Sequence, residues 1–130
     1  MDLAQDTILV VDDEPTVLSF CKLALTRGGY HVLEARSGQE ALRSVEGGAR
    51  VRLALLDVMM PVMNGIELAK RLNQIDPSID ILLMSGFSAN EVKNVAGGGH
   101  PYRIVWKPFK TDSLLRMIQT VLDAQTGEPR

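Results

Sequence analysis

Residues 51–61 read VRLALLDVMMP. Leu53, Ala54, Leu55 and Leu56 form an unbroken apolar run that stops at Asp57. A short run without alternation fits a strand buried on both faces, and such strands belong to parallel sheets covered by helices. A carboxylate closing that strand sits at the carboxyl edge of an open α/β sheet, where ligands bind. Taken alone, Asp57 reads equally well as a solvated loop residue or a helix cap. What else the chain brings to the same edge decides between these readings.

The same pattern recurs on both sides. Thr7–Val11 (TILVV) ends at Asp12-Asp13, and His31–Ala35 (HVLEA) is a second short strand. Residues 80–84 (DILLM) end at Ser85-Gly86, and Arg103–Trp106 (RIVW) ends at Lys107-Pro108. Helical patterns fill the intervals. Glu14-Pro15 opens the first, since proline suits the first turn and an acid suits the positive end of the helix dipole. Val17, Cys21, Ala24 and Leu25 recur at helical spacing until Gly28-Gly29. Ser37 and Glu40 form a capping box, each expected to satisfy the other's backbone donor; Ala41, Leu42 and Val45 face inward. Asn64 caps a third helix carrying Ile66, Leu68, Ala69, Leu72 and Ile75, which Asp76-Pro77 ends. Ser88 and Glu91 form another capping box, opening a short helix through Val92, Val95 and Ala96 to the glycines at 97–99. The last helix starts near Thr111, with Leu114, Leu115, Ile118, Val121 and Leu122 on one stripe.

Five β-α units in strict alternation predict a doubly wound, five-stranded parallel sheet with helices on both faces and right-handed crossovers. The strand ends at Asp13, Ala35, Asp57, Ser85 and Lys107 are spaced 22, 22, 28 and 22 residues apart. The long interval holds the loop at residues 58–63. We expect one domain over residues 1–125 and a loose polar tail at 126–130.

Composition narrows the function. At 130 residues, 45% hydrophobic and 23% charged, the chain suits one globular domain. A net charge of −2 with scattered basic residues gives no field for nucleic acid or anionic lipid. The single cysteine, Cys21, allows neither an intrachain disulfide nor a multi-cysteine zinc site and reads as a buried inert thiol. No stretch approaches the ~20 apolar residues of a membrane span, and the N-terminus lacks a signal-peptide pattern. A cytoplasmic location is expected.

In the common strand order 2-1-3-4-5 the topological switch point lies between the first and third strands. Asp12 and Asp13 then face Asp57 across that crevice, with Ser85 and Lys107 on the other side. Three close carboxylates repel, so one has a raised pKa or holds a proton unless a cation intervenes. All-oxygen ligation selects magnesium or manganese. Magnesium typically takes one or two carboxylates and leaves room for a phosphoryl oxygen, while a lysine and a hydroxyl are phosphoryl ligands. Aspartate forms acyl phosphates. The residues therefore point to magnesium-dependent phosphoryl acceptance on Asp57.

Asp12-Asp13, Asp57 with Pro61 four places on, Ser85-Gly86 and Lys107-Pro108-Phe109 resemble the receiver domain of two-component response regulators, over nearly the whole chain. The resemblance implies a flavodoxin-like three-layer sandwich. Asp57 would be the phosphoacceptor for a histidine kinase or phosphotransfer protein, and Mg2+, or Mn2+, would be held by Asp12, Asp13, Asp57 and the Met59 backbone carbonyl. Ser85 and Lys107 would bind phosphoryl oxygens, and the Lys107–Pro108 bond would be cis. The domain would be no enzyme beyond catalysing its own phosphorylation and dephosphorylation.

Three positions depart from that pattern. The family's aromatic switch residue, three places before the lysine, is Ile104 here. Tyr102 and Trp106 stand out of register. We expect Ile104 to pack against the fourth helix, and the face of fourth helix, fifth strand and fifth helix to meet a downstream protein or a second copy. Met59 and Phe87 match positions that flank the phosphoryl group and are apolar, which implies slow self-dephosphorylation. Among rival readings, an aspartyl phosphatase of the haloacid-dehalogenase pattern wants a second acid at position 59, which is Met, and no GxxxxGK[ST] loop exists. A pseudo-receiver acting as an interaction module without phosphorylation stays open.

Overall fold

The computed structural model describes residues 6–125, so the predicted tail at 126–130 lies outside the described residues. Five units follow in order: β1 (Thr7–Val11), α1 (Pro15–Arg27), β2 (His31–Ala35), α2 (Gly38–Glu46), β3 (Leu53–Asp57), α3 (Gly65–Ile75), β4 (Asp80–Ser85), α4 (Ala89–Val95), β5 (Arg103–Trp106) and α5 (Thr111–Gln125). The strands pair in parallel in the order β2-β1-β3-β4-β5. The alternation of elements predicts such a parallel sheet, and the order is the flavodoxin-like one that the resemblance implies.

All five residues of β3 and all six of β4 are buried, as unalternating apolar strands covered on both faces must be. Successive side chains nevertheless serve different layers, because the strand period is two. Leu9, Val11, Ala54, Leu56, Ile81 and Leu83 pack with Ala41, Val45, Ile66, Leu68, Leu72 and Val92 of α2, α3 and α4. Ile8, Val10, Leu53, Leu55, Leu82 and Met84 pack with Leu18, Cys21, Leu25, Leu114 and Ile118 of α1 and α5. The result is a three-layer sandwich whose sheet has no wet face at its centre.

Helix starts follow the expected chemistry with one change. Asn64–Glu67 and Ser88–Glu91 are reciprocal capping boxes. At α2 the exchange is not reciprocal: Ser37 Oγ accepts from the Glu40 N–H at 3.1 Å, but Glu40 Oε1 accepts from the Arg36 N–H at 2.6 Å. Glu40 thus reaches one residue further back than the box requires, tying the end of β2 to the helix. Ile75, expected inside, is 41% exposed; as the last residue of α3 it has run past the edge of the layer beneath it.

Candidate phosphoryl-transfer site

β1 and β3 are neighbours, with Val11 opposite Leu56. The residues leaving their ends, Asp12-Asp13 and Asp57, therefore meet at one edge. Asp12, Asp13 and Asp57 each place a carboxylate oxygen within 4.8 Å of the others. Asp12 and Asp57 are buried and Asp13 is exposed. Lys107, just beyond β5, crosses toward them: its Nζ donates to Asp12 Oδ2 at 2.9 Å and to Asp57 Oδ1 at 3.2 Å. A third carboxylate, Glu14 Oε1, lies 3.9 Å from the same ammonium. One ammonium thus pairs with three carboxylates. The Lys107–Pro108 bond is cis, as expected.

The electrostatics follow from that crowding. Burial pushes the Asp57 carboxyl up from 3.8 to about 6, the Asp12 charge adds to the rise, and Lys107 opposes it. Burial alone would lower the Lys107 pKa, but the hydrogen bond to Asp12 and the charges of Asp57 and Asp12 outweigh it and raise it. One ammonium cannot neutralise three acids. That imbalance is the property of an oxygen-only cation site, and the donor set fits a hard divalent ion such as magnesium.

Ser85 is fully buried at the end of β4, and its Oγ accepts the Phe87 N–H at 3.0 Å. Its carbonyl accepts the Lys107 N–H at 2.7 Å, so the serine is tied to the lysine through the backbone and its hydroxyl bonds neither the Asp57 carboxylate nor the Lys107 ammonium. Met59 is half-buried against the core cluster of α2, α3 and α4, and Phe87 is 44% exposed. Ile104 packs against that same cluster and lines a hollow of about 200 Å³ with Ala89 and Val92 of α4. Tyr102 turns to His100, with ring centroids 5.9 Å apart and its N–H donating to His100 Nδ1 at 3.1 Å. Trp106 is 43% exposed, so it belongs to the surface beside α4 and not to the core. Cys21 is fully buried, and burial pushes its thiol up to about 12, which makes it inert.

Two contributors escape a reading of the sequence. Glu14 reads there only as an acid that opens the first helix ahead of its proline. Gly65, the first residue of α3, leaves no room for a side chain: an added Cβ would run into the Asp57 carbonyl oxygen and lie 3.1 Å from the Val58 Cα. Its N–H also donates to the Val58 carbonyl at 2.9 Å. A glycine directly after the Asn64 cap is the one available signal of this close approach.

Comparison with known proteins agrees with the geometry. Residues 8–119 match the family model described as the response regulator receiver domain. The response regulator receiver protein CpdR of Brucella abortus is 32% identical over 117 residues, covering 90% of this chain and 97% of that protein. The chain spans about half the length of several other curated relatives, which are transcriptional regulators. A CheY-like receiver domain from Methanospirillum hungatei superposes with a TM-score of 0.83 at 29% identity, covering 96% of this chain and 99% of that one. The response regulator TrrA of Thermotoga maritima, solved in complex with Mg(2+)-BeF, gives 0.77 at 30% identity, covering 91% and 100%.

Proposed function

The chain belongs to the response regulator receiver domain family, and from that premise we propose that it accepts a phosphoryl group on Asp57 from a phosphohistidine of a histidine kinase or phosphotransfer protein. The observation that carries this reading is the convergence on Lys107: one ammonium holds Asp12 and Asp57 at 2.9 and 3.2 Å while a third aspartate completes an acidic cluster.

In the transfer, an Asp57 carboxylate oxygen attacks phosphorus. The O–P bond forms as the donor's P–N bond breaks, and the imidazole leaves with that electron pair. With its pKa near 6, Asp57 is mostly ionised at neutral pH and available as a nucleophile. Lys107 holds it in place and neutralises phosphoryl charge, and the Ser85 hydroxyl donates to a phosphoryl oxygen. Asp12, Asp13, Asp57 and the Met59 carbonyl would hold Mg2+, which supplies charge neutralisation at the transferring group. Water is kept back by Met59 and Phe87, the basis for a long-lived aspartyl phosphate.

The domain catalyses only its own phosphorylation and dephosphorylation, as a single receiver unit over residues 1–125 working in the cytoplasm. Its output surface is the face of α4, β5 and α5 around Trp106 and Ile104, open to a downstream protein or a second copy. Because Ile104 packs against the α4 side of the core, the switch there works by repacking of an aliphatic side chain and not by an aromatic rotamer.

The decisive experiment is labelling with acetyl phosphate, with and without Mg2+, of wild type and Asp57→Asn. Magnesium-dependent label that disappears in the variant is the expected result. Wild type that takes no label is a pseudo-receiver, an interaction module that works without phosphorylation.

A further inference from the structure

Val62 occupies a backbone conformation that its own side chain opposes. Its φ is +72°, in the left-handed region that suits glycine or asparagine and is a genuine outlier for a β-branched residue. The Met63 N–H donates to the Pro61 carbonyl at 2.8 Å. Those three residues therefore close a γ-turn with positive φ at its centre, the rarer and strained hand of that turn.

The loop cannot relax. The Val58 N–H is bonded to the Met84 carbonyl at 3.0 Å and the Gly65 N–H to the Val58 carbonyl at 2.9 Å. Met60 and Met63 are buried on either side, and Asn64 is locked into the cap of α3. Nor does burial offset the strain: Val62 is 94% exposed, the most exposed large apolar side chain among the described residues. Glycine or asparagine at this position would suit both backbone and solvent. A residue that breaks local rules without compensation inside the fold marks a functional position.

Its place in the chain says which function. Asp57 is 5% exposed, so a phosphohistidine reaches its carboxylate only when the protein that carries it lies against the loops of this edge. The loop bearing Val62 leaves directly from Asp57. A downstream target or a second copy has no need to approach this mouth. We infer that Val62 is a specificity-determining contact for the phosphohistidine-bearing donor, its methyl groups seated in an apolar depression beside that protein's phosphohistidine. This rests on Asp57 being the acceptor.

The test compares two phosphoryl sources. One is the autophosphorylated histidine kinase, among those of the organism that carries this chain, that labels wild type fastest; the other is acetyl phosphate, which has no protein surface. Val62→Asn relaxes the backbone and removes the methyl groups, while Val62→Thr keeps the β-branch and replaces one methyl by hydroxyl. The expected result is a Val62→Asn protein that melts no lower than wild type but whose ratio of kinase rate to acetyl phosphate rate falls by about tenfold, as when a central interface contact is truncated. Val62→Thr falls between. A wild-type ratio in Val62→Asn overturns the inference, as does a parallel fall of both rates, which would place the effect in loop geometry. If acetyl phosphate labels wild type and no kinase does, the docking role fails while the acceptor stands. If neither labels wild type, the acceptor reading itself fails.

Discussion

Replacing Asp57 by asparagine should stabilise the metal-free protein, although it removes the proposed phosphoacceptor. The buried Asp57 carboxyl is raised from 3.8 to about 6, roughly two pH units, and each unit corresponds to ~1.4 kcal/mol. The folded acid binds its proton more tightly than the unfolded one. Wild type is therefore relatively favoured at low pH and loses that advantage as pH climbs from about 4 through about 6. Above the folded pKa the full penalty, about 3 kcal/mol, is present. Asparagine keeps the shape without the charge, and the Lys107 attraction it forgoes is already contained in that shift, so a gain of about 3 kcal/mol at pH 7.5 is expected. For a chain of this size that raises Tm by roughly 9–15 °C. The assay is thermal and urea melting of both proteins in EDTA at pH 7.5 and 4.5, and the gap should shrink to about 1 kcal/mol at the lower pH. Adding Mg2+ should then raise wild type and hardly move the variant, because binding to the native state stabilises by mass action. An Asp57→Asn protein that melts at or below wild type in EDTA, or a gap that ignores pH, would refute the charge-crowding argument.

Three further outcomes follow from other sites. Gly65→Ala places a Cβ against the Asp57 carbonyl and the Val58 backbone, neither of which can swing aside; a loss of about 1–3 kcal/mol in urea unfolding is expected, and an unchanged midpoint would contradict it. Met59→Ala removes the half-buried side chain beside the acceptor, so aspartyl phosphate should decay several-fold faster than in wild type, measured by loss of label after the donor is removed; an equal lifetime counts against shielding. Asp80 is buried, with Oδ2 lacking a hydrogen-bond partner, and burial raises its pKa while the Arg52 charge lowers it. Its ionised form therefore weakens the fold above the ordinary carboxylate range, and Asp80→Asn should raise Tm at pH 7.5 with a benefit that fades on acidification; a lower Tm at pH 7.5 would show that the attraction to Arg52 dominates.

What the sequence made legible and what it hid have a common physical cause. Strands covered on both faces announce themselves as unbroken apolar runs, so β3 and β4 and the residues closing them could be read directly, and with them Asp57 and Ser85. A capping box is equally local, and where it misled, at Glu40, the correction is a single residue along the same turn. Contacts that span the sheet carry no such signature. Lys107 reaches past β4 to Asp12, 95 residues away in the chain, and nothing near position 107 says that its ammonium would find Glu14 as well. Val62 was hidden for the opposite reason: among Met59, Met60 and Met63 it reads as one more apolar residue. Only the backbone shows that Met60 and Met63 are buried while Val62 is turned outward against its own conformational preference. The acid, hydroxyl and ammonium of the site are therefore set by strand ends, which a sequence displays. The loop leaving Asp57 is set by a turn geometry that a sequence does not display, and the apolar Met59 and the exposed Val62 lie on that loop. If the domain differs from its relatives in which donor it accepts and how long it stays phosphorylated, residues 58–64 are where the difference is built.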